Sequence, residues 1–253
     1  WDMNRNMTEI GSTAWPAKKQ KEIAHRYMLG LYKILENITS NFPNILFESC
    51  SGGGGRFDGG MLYYMPQTWT SDDTDAIERL MIQEGTSLVY PTSSMGSHVS
   101  AVPNHQVHRI TPLNTRGVVA MAGSFGYELD VTKMNEEEKE EVKKQVEFYK
   151  NIRSTVQFGD LYRLKSSFDS NEAAWMNLSK DGKEVVVSYV KKYAEANVIP
   201  RRLKVKALDE NSLYEVIESG EVFGGDELMY IGLEIGELMG DYQAKNWTLR
   251  KVD

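Results

Sequence analysis

Three carboxylates in this sequence stand where a bond-breaking site would need them. Asp2 lies in "WDMNRN", Glu48 closes the apolar run "ILFE", and Asp72 lies in "TWTSDDTDA". Each ends or follows a stretch with strand character, and in α/β barrels the chemistry sits where strands give way to loops. Two carboxylates from different strand ends can split a glycosidic bond. One attacks or stabilises the sugar cation and the other protonates the leaving oxygen. Their environments must differ, because one stays ionised while the other keeps a proton near neutral pH. Trp69, three residues before Asp72, offers an apolar wall and a ring face for stacking on sugar C–H groups. Asp73 and Asp75 read as loop carboxylates, with Asp73 placed to cap a helix that begins near Thr74.

The stretch "SCSGGGGRFDGG" separates the second and third carboxylates. It lacks the Lys and Ser or Thr of a phosphate-binding P-loop, and it does not fit the dinucleotide pattern of glycines with a downstream acid. Glycines here suit close backbone approach to a neutral ligand. Cys50, at the head of the loop, has no histidine beside it in sequence and reads as a small buried apolar residue. His98, His105 and His108 lack the regular spacing of a zinc site and read as polar loop residues. The residues imply neither a cofactor nor a metal.

The elements that must position these residues come in two kinds. Pro16 opens a helical stretch in which Ile23, Tyr27, Leu31 and Ile34 recur at helical spacing. A buried strand is expected over Ile45 to Glu48, and a second helix over "TDAIERLMIQEG". "TSLVYP" is an apolar run ended by Pro91, and residues 92–109 read as a loop. A long helix follows Asn135, which suits an N-cap with acidic residues in the first turn. This alternation of strand, loop and helix argues for a parallel α/β architecture. Beyond about residue 165 the character changes to short Val-, Tyr- and Ile-rich runs split by turns. Asp181-Gly182 among them is a hairpin signal. Residues 1–165 are therefore expected to form the parallel part, and residues 166–253 an antiparallel β domain.

Composition narrows the class. With 253 residues, 41% hydrophobic and 26% charged, the chain can bury a sizeable core. A formal charge of -7 disfavours nucleic acid and anionic membranes as partners. No apolar run approaches the roughly 20 residues of a membrane span. The single cysteine fits a reducing compartment.

Three segments together resemble a known family: "WDMNR", "FESCSGGGGRFDGGMLYYMPQTWTSDDTDAIER" and "GSHVSAVPNHQVHRITPLNTRGVVAMAGSFGYELD". They look like the catalytic core of family 36 glycoside hydrolases, the bacterial α-galactosidases, and the likeness covers roughly residues 1–165. The resemblance implies the C-terminal portion of a (β/α)8 TIM barrel, followed by an antiparallel β-sandwich domain. It implies a retaining mechanism without cofactor, in which Asp2 is the nucleophile and Asp72 the acid/base. It further implies that Cys50, Gly52 and Gly53 hold the sugar near its 2-hydroxyl, that Trp69 is an aromatic wall, and that Asn4 is a polar sugar contact.

The family's lysine before Trp1 and everything upstream of it are absent here. The chain reads as the C-terminal part of a larger enzyme, carrying both acids without the upstream residues that grip galactose. The fragment alone is expected to be inactive, and the preceding part of the same polypeptide is its first expected partner. The family implies α-galactosides such as melibiose and raffinose as substrates, a homotetramer when full length, and a cytoplasmic location. Within the same clan, an α-N-acetylgalactosaminidase or a raffinose- or stachyose-type transglycosylase would use the same two acids. A sugar-binding protein without catalysis is the rival of another class, and the presence of both acids argues against it.

Overall fold

The computed structural model describes residues 1–2, 10–197 and 199–252. The chain divides into two compact units, residues 1–72 and residues 73–253.

In the first unit, a 3₁₀ turn over Ala17–Glu22 leads into α1 (Ile23–Asn41). Helical backbone thus starts directly after Pro16, whose fixed φ suits that place. The stripe of α1 that is buried, Leu31 and Leu35, packs on Met61 and Met65 around α2 (Gly59–Tyr64). Asp58 caps α2 by accepting from the Met61 amide at 2.8 Å. A Cβ on Gly60 would meet the Tyr32 ring and hydroxyl, so a larger residue there would have to push the tyrosine of α1 aside.

Two short parallel strands follow, β1 (Glu48–Ser49) and β2 (Gln67–Trp69), with Glu48 opposite Gln67 and Ser49 opposite Thr68. The expected strand over Ile45 to Glu48 is displaced toward the C-terminus, and Ile45 and Leu46 are exposed. The reason is local. The Ile45 amide donates to the Phe42 carbonyl at 3.1 Å, closing the turn after α1, and is not available to a ladder.

In the second unit, α3 (Ala76–Thr86) is capped by Asp75, whose carboxylate accepts from the Ile77 and Glu78 amides. The capping residue is thus Asp75, not Asp73. Asp73 sits two residues earlier and accepts from the Asp75 amide at 3.0 Å. The apolar run "TSLVYP" forms the end of α3 and a turn, with Leu88 and Val89 exposed. The next strand, β3 (Met95–Ser100), lies inside the stretch read as loop. Its residues "MGSHVS" have no apolar run to announce it, yet Met95, Ser97 and Val99 are buried. After α4 (Leu113–Ala120) comes β4 (Ser124–Glu128), parallel to β3 from Gly96–Ser124 to Ser100–Glu128. Then α5 (Glu136–Phe158) starts in a capping box between Asn135 and Glu138.

The antiparallel part begins at Asp160, six residues before the change seen in the sequence. Its strands are β5 (Asp160–Lys165), β6 (Glu172–Leu178), β7 (Glu184–Lys191), β8 (Arg202–Leu203), β9 (Leu213–Val216) and β10 (Glu221–Gly224). A short helix α6 (Gly225–Tyr230), then β11 (Leu233–Glu234) and β12 (Gln243–Val252), complete it. Six strands form one sheet in the order β10-β9-β12-β7-β6-β5, and β11 pairs with β8 in a second. Asp181-Gly182 does mark the β6–β7 hairpin, with Gly182 at φ 72°.

Both faces of the large sheet are covered. Val185, Val187 and Tyr189 of β7 point to the face packed with Leu203, Val205, Leu228 and Leu233. Val186 and Val190 point the other way, toward α3, α4 and α5 through Ile77, Val118 and Ile152. A strand buried on both sides needs no polar alternation, which accounts for "EVVVSYV".

At the start of β6 Glu172 is buried and takes bonds from Lys165, Tyr189 and Arg201. Burial alone would raise its carboxyl, but these bonds outweigh burial and hold it below the usual carboxylate range. Lys165 and Arg201 are about one-third exposed, so each can turn to water if Glu172 is lost. Glu172→Gln is therefore expected to cost about 2 kcal/mol, less than the full loss of a buried pair. The depressed carboxyl contributes its stability above its unfolded value of about 4.3, and that contribution fades as pH falls through the folded value. Denaturant unfolding of both forms should show a constant gap from pH 7 to about 5 and a narrowing gap below about 4.

Candidate active site

The site forms within the first unit, at the carboxyl end of its parallel strands. The Trp1 amide nitrogen donates to the Glu48 carbonyl at 2.9 Å, and the Cys50 amide donates to the Trp1 carbonyl at 3.0 Å. Those two bonds flank Ser49, which is the pattern of a parallel ladder. Trp1 therefore lies opposite Ser49, and Ser49 lies opposite Thr68. One residue further along, Asp2, Cys50 and Trp69 come level across three neighbouring stretches of backbone. Level residues on parallel neighbours point to the same face, and the Cys50 thiol indeed shares a side-chain hydrogen bond with Asp2.

Asp72, on the segment that leaves β2, stands near enough for its charge to act on the same thiol. Burial pushes the Cys50 thiol up, a backbone bond to Gly53 opposes this in part, and the charges of Asp2 and Asp72 push it up further. The thiol is thus kept in its protonated form, a neutral donor to Asp2. Asp2 and Asp72 themselves are exposed, while Trp69 is buried. Glu48 is different. It lies within β1 with its carboxylate tied to the Gln67 side chain, so it is a strand residue and not one of the converging acids.

The glycine loop holds the arrangement by backbone contact. The Ser51 amide donates to the Gly53 carbonyl at 2.8 Å, and the Gly54 amide to the Thr70 carbonyl at 3.2 Å. Gly52 and Gly53 have φ of 56° and 77°, in the left-handed region. A Cβ on Gly53 would lie 2.7 Å from the Ser71 Cα and 3.0 Å from the Asp72 nitrogen. The loop is therefore pressed on the backbone that carries Asp72, and no phosphate cradle is involved. Arg56, beyond the glycines, donates through Nη2 to the Cys50 carbonyl. Neither motif nor periodicity marks this arginine in the sequence. Its signal is positional, as the first long side chain after a run of four glycines.

The structure brings Asp2, Cys50, Gly53 and Asp72 together, with Gly52 in the same turn and Trp69 at the same level. Asn4 lies outside the described residues. His98 is in β3, with its ring over Gly126, and His105 and His108 belong to the following loop. Among the described residues, no group of three or more His, Cys, Asp or Glu is placed to hold a metal ion. No helix among them is long and apolar enough to cross a membrane.

Comparison with known proteins shows the family and the fold. Residues 1–159 match the melibiase family model, and residues 172–249 match the glycosyl hydrolase family 36 C-terminal domain. An α-galactosidase of Geobacillus stearothermophilus, AgaA, is 62% identical over 252 residues, which is all of this chain and 34% of the relative. An α-galactosidase of Lactobacillus acidophilus is 53% identical, again over the whole chain and 34% of its own length. A variant of the Geobacillus enzyme solved with raffinose superposes with a TM-score of 0.97 at 61% identity, covering all of this chain and 35% of that one. The Lactobacillus brevis α-galactosidase gives 0.96 at 45% identity, with the same coverage. The chain spans about a third of the length of these relatives. Its fold is part of a TIM barrel followed by a β-sandwich domain.

Gly53→Ala should place a Cβ against the Ser71 backbone in a left-handed conformation. We expect a loss of about 1–3 kcal/mol in denaturant unfolding, and a displaced Ser71–Asp72 segment in a crystal structure of the variant.

Proposed function

The chain belongs to glycoside hydrolase family 36, and on that premise we propose that the whole protein is a retaining α-galactosidase. It removes terminal α-linked galactose from galacto-oligosaccharides. The observation that carries the reading is that two carboxylates from separate strand ends are gathered by one loop: Asp2 shares a hydrogen bond with the Cys50 thiol, and Gly53 is pressed on the backbone of Ser71 and Asp72. Relatives of the same family are named α-galactosidases, and variants of one of them were solved with raffinose and with stachyose. Melibiose and oligosaccharides of the raffinose type are accordingly the substrates proposed.

In the first step a carboxylate oxygen of Asp2 attacks the anomeric carbon from the β face. The C–O bond to the leaving group breaks, and Asp72 gives its proton to the departing oxygen. A β-galactosyl ester of Asp2 results. In the second step Asp72, now a carboxylate, takes a proton from water. The oxygen of that water attacks the anomeric carbon, the ester bond breaks, and α-galactose leaves with Asp2 restored. This double displacement requires the two carboxyls to stand about 5–5.5 Å apart. Cys50, Gly52 and Gly53 are proposed to hold the sugar on its 2-hydroxyl side, with Trp69 as the apolar wall. The close backbone of the loop favours a free 2-hydroxyl over a bulkier N-acetyl group.

The sequence upstream in the relatives is proposed to supply the rest of the barrel and the remaining grip on galactose. A homotetramer in the cytoplasm, without nucleic-acid or membrane partners, completes the proposal.

Full-length protein acting on nitrophenyl α-galactoside tests it, with the released anomer followed by proton NMR. α-Galactose should appear first, and β-galactose appearing first would end the double-displacement reading. Asp2→Asn should keep the fold and lose kcat by on the order of 10³-fold or more. Asp72→Ala should respond to azide, which takes the place of water against the β-galactosyl ester of Asp2, by forming α-galactosyl azide.

A further inference from the structure

Arg56 has no part in the mechanism above, yet it touches the centre of the site. Its Nη2 donates to the Cys50 carbonyl, while its Nε and Nη1 are buried without an acceptor among the described residues. The residue it grips has three other ties. The Cys50 amide holds the Trp1 carbonyl at 3.0 Å, which sets the strand end bearing Asp2. Its thiol bonds to the Asp2 side chain, and it lies close enough to Asp72 to feel its charge. Between Cys50 and Arg56 the chain makes a compact loop, with Gly55 N to Ser51 O at 3.2 Å and Phe57 N to Gly54 O at 3.0 Å. Arg56 thus closes the loop from its far end onto its first residue.

The energetics separate a fold brace from a functional one. A guanidinium with one nitrogen bonded and two buried nitrogens unmatched among the described residues gains little stability from them, and an apolar or neutral side chain would serve the fold as well. Buried polar groups left unpaired call for a reason other than stability. We propose that Arg56 is a positioning residue for the glycosyl transfer. By holding the Cys50 carbonyl it fixes the thiol that orients Asp2 and keeps the loop seated against Ser71 and Asp72. This inference rests on the α-galactosidase reading.

The test uses full-length protein and nitrophenyl α-galactoside, with Arg56→Gln and Arg56→Lys. A misplacement of the nucleophile by about 1 Å costs on the order of 100-fold. Arg56→Gln should therefore lose about that factor in kcat, with KM changed less than about threefold and the thermal midpoint unchanged or higher. Arg56→Lys, which can still donate to the carbonyl, should recover roughly tenfold of the loss. Wild-type kcat in Arg56→Gln overturns the proposal. So does a fall in thermal midpoint that tracks the loss of kcat, with Arg56→Lys no better than Arg56→Gln. Failure of Arg56→Gln to fold overturns it as well, because the fold would then need the residue. If the wild-type protein does not cleave the α-galactoside, the functional reading fails and this inference falls with it. If the wild type cleaves it and Asp2→Asn does not, the functional reading stands whatever Arg56 does.

Discussion

Backbone pressed on backbone, where Gly53 and Gly54 meet Thr70, Ser71 and Asp72, is the contact on which the site depends. Parallel strands fix the order in which residues emerge, but they do not fix loops beyond their ends. Asp72 is three residues past β2, far enough for its position to be set by what touches it. A Cβ on Gly53 would meet the Ser71 Cα at 2.7 Å, and one on Gly54 would meet the Thr70 carbonyl at 3.1 Å. No side chain stands between the two segments, so neither can move without the other. The same loop begins with Cys50, whose amide is bound to the Trp1 carbonyl. One short stretch of backbone therefore sets the spacing between both acids. That is a geometric requirement, which explains glycine better than flexibility would.

This constraint decides what could be read from the residues alone. Asp2 and Asp72 stand out as carboxylates at strand ends, whereas Cys50 reads by itself as a small buried apolar residue; it is half-buried and hydrogen-bonded to Asp2, a partner distant in sequence. The long helix α5 was legible because Asn135 and Glu138 form a capping box, a purely local device. Strand β3 was not legible, because its burial comes from neighbours distant in sequence. Ser97 there is buried by bonding to the Gln83 side chain, and "MGSHVS" has neither alternation nor an apolar run. The cap of α3 turned on a shift of two residues: Asp73 and Asp75 are both good caps, and the helix whose Ala76 and Ile77 pack in the core starts after the second. Arg56 could not be read at all, since an arginine after glycines looks like surface until its carbonyl partner is known.

The antiparallel part follows another logic. Its central strand β7 is sandwiched, with Val185, Val187 and Tyr189 against the small sheet and α6, and Val186 and Val190 against the helices. Side-chain bonds reinforce the second of these faces. Thr115 Oγ1 donates to the Tyr242 carbonyl at 2.6 Å, and Asn114 to the Ala244 carbonyl at 2.9 Å. A sheet so used gives α3 and α4 an apolar floor, a role its sequence shows only as an excess of valine.

The chemical character of Cys50 follows from its two neighbours. A thiolate there would face the charges of Asp2 and Asp72 with its own, in a site where burial already disfavours charge. The thiol therefore remains S–H, and its hydrogen bond runs in one sense, from sulfur to carboxylate. That excludes it as a nucleophile, since thiol chemistry needs the thiolate. A lysine at this place would neutralise Asp2 and tie it down. A weak neutral donor orients the carboxylate while leaving its charge available to an incoming anomeric carbon. The cysteine is thus suited to hold a nucleophile by being a poor one itself.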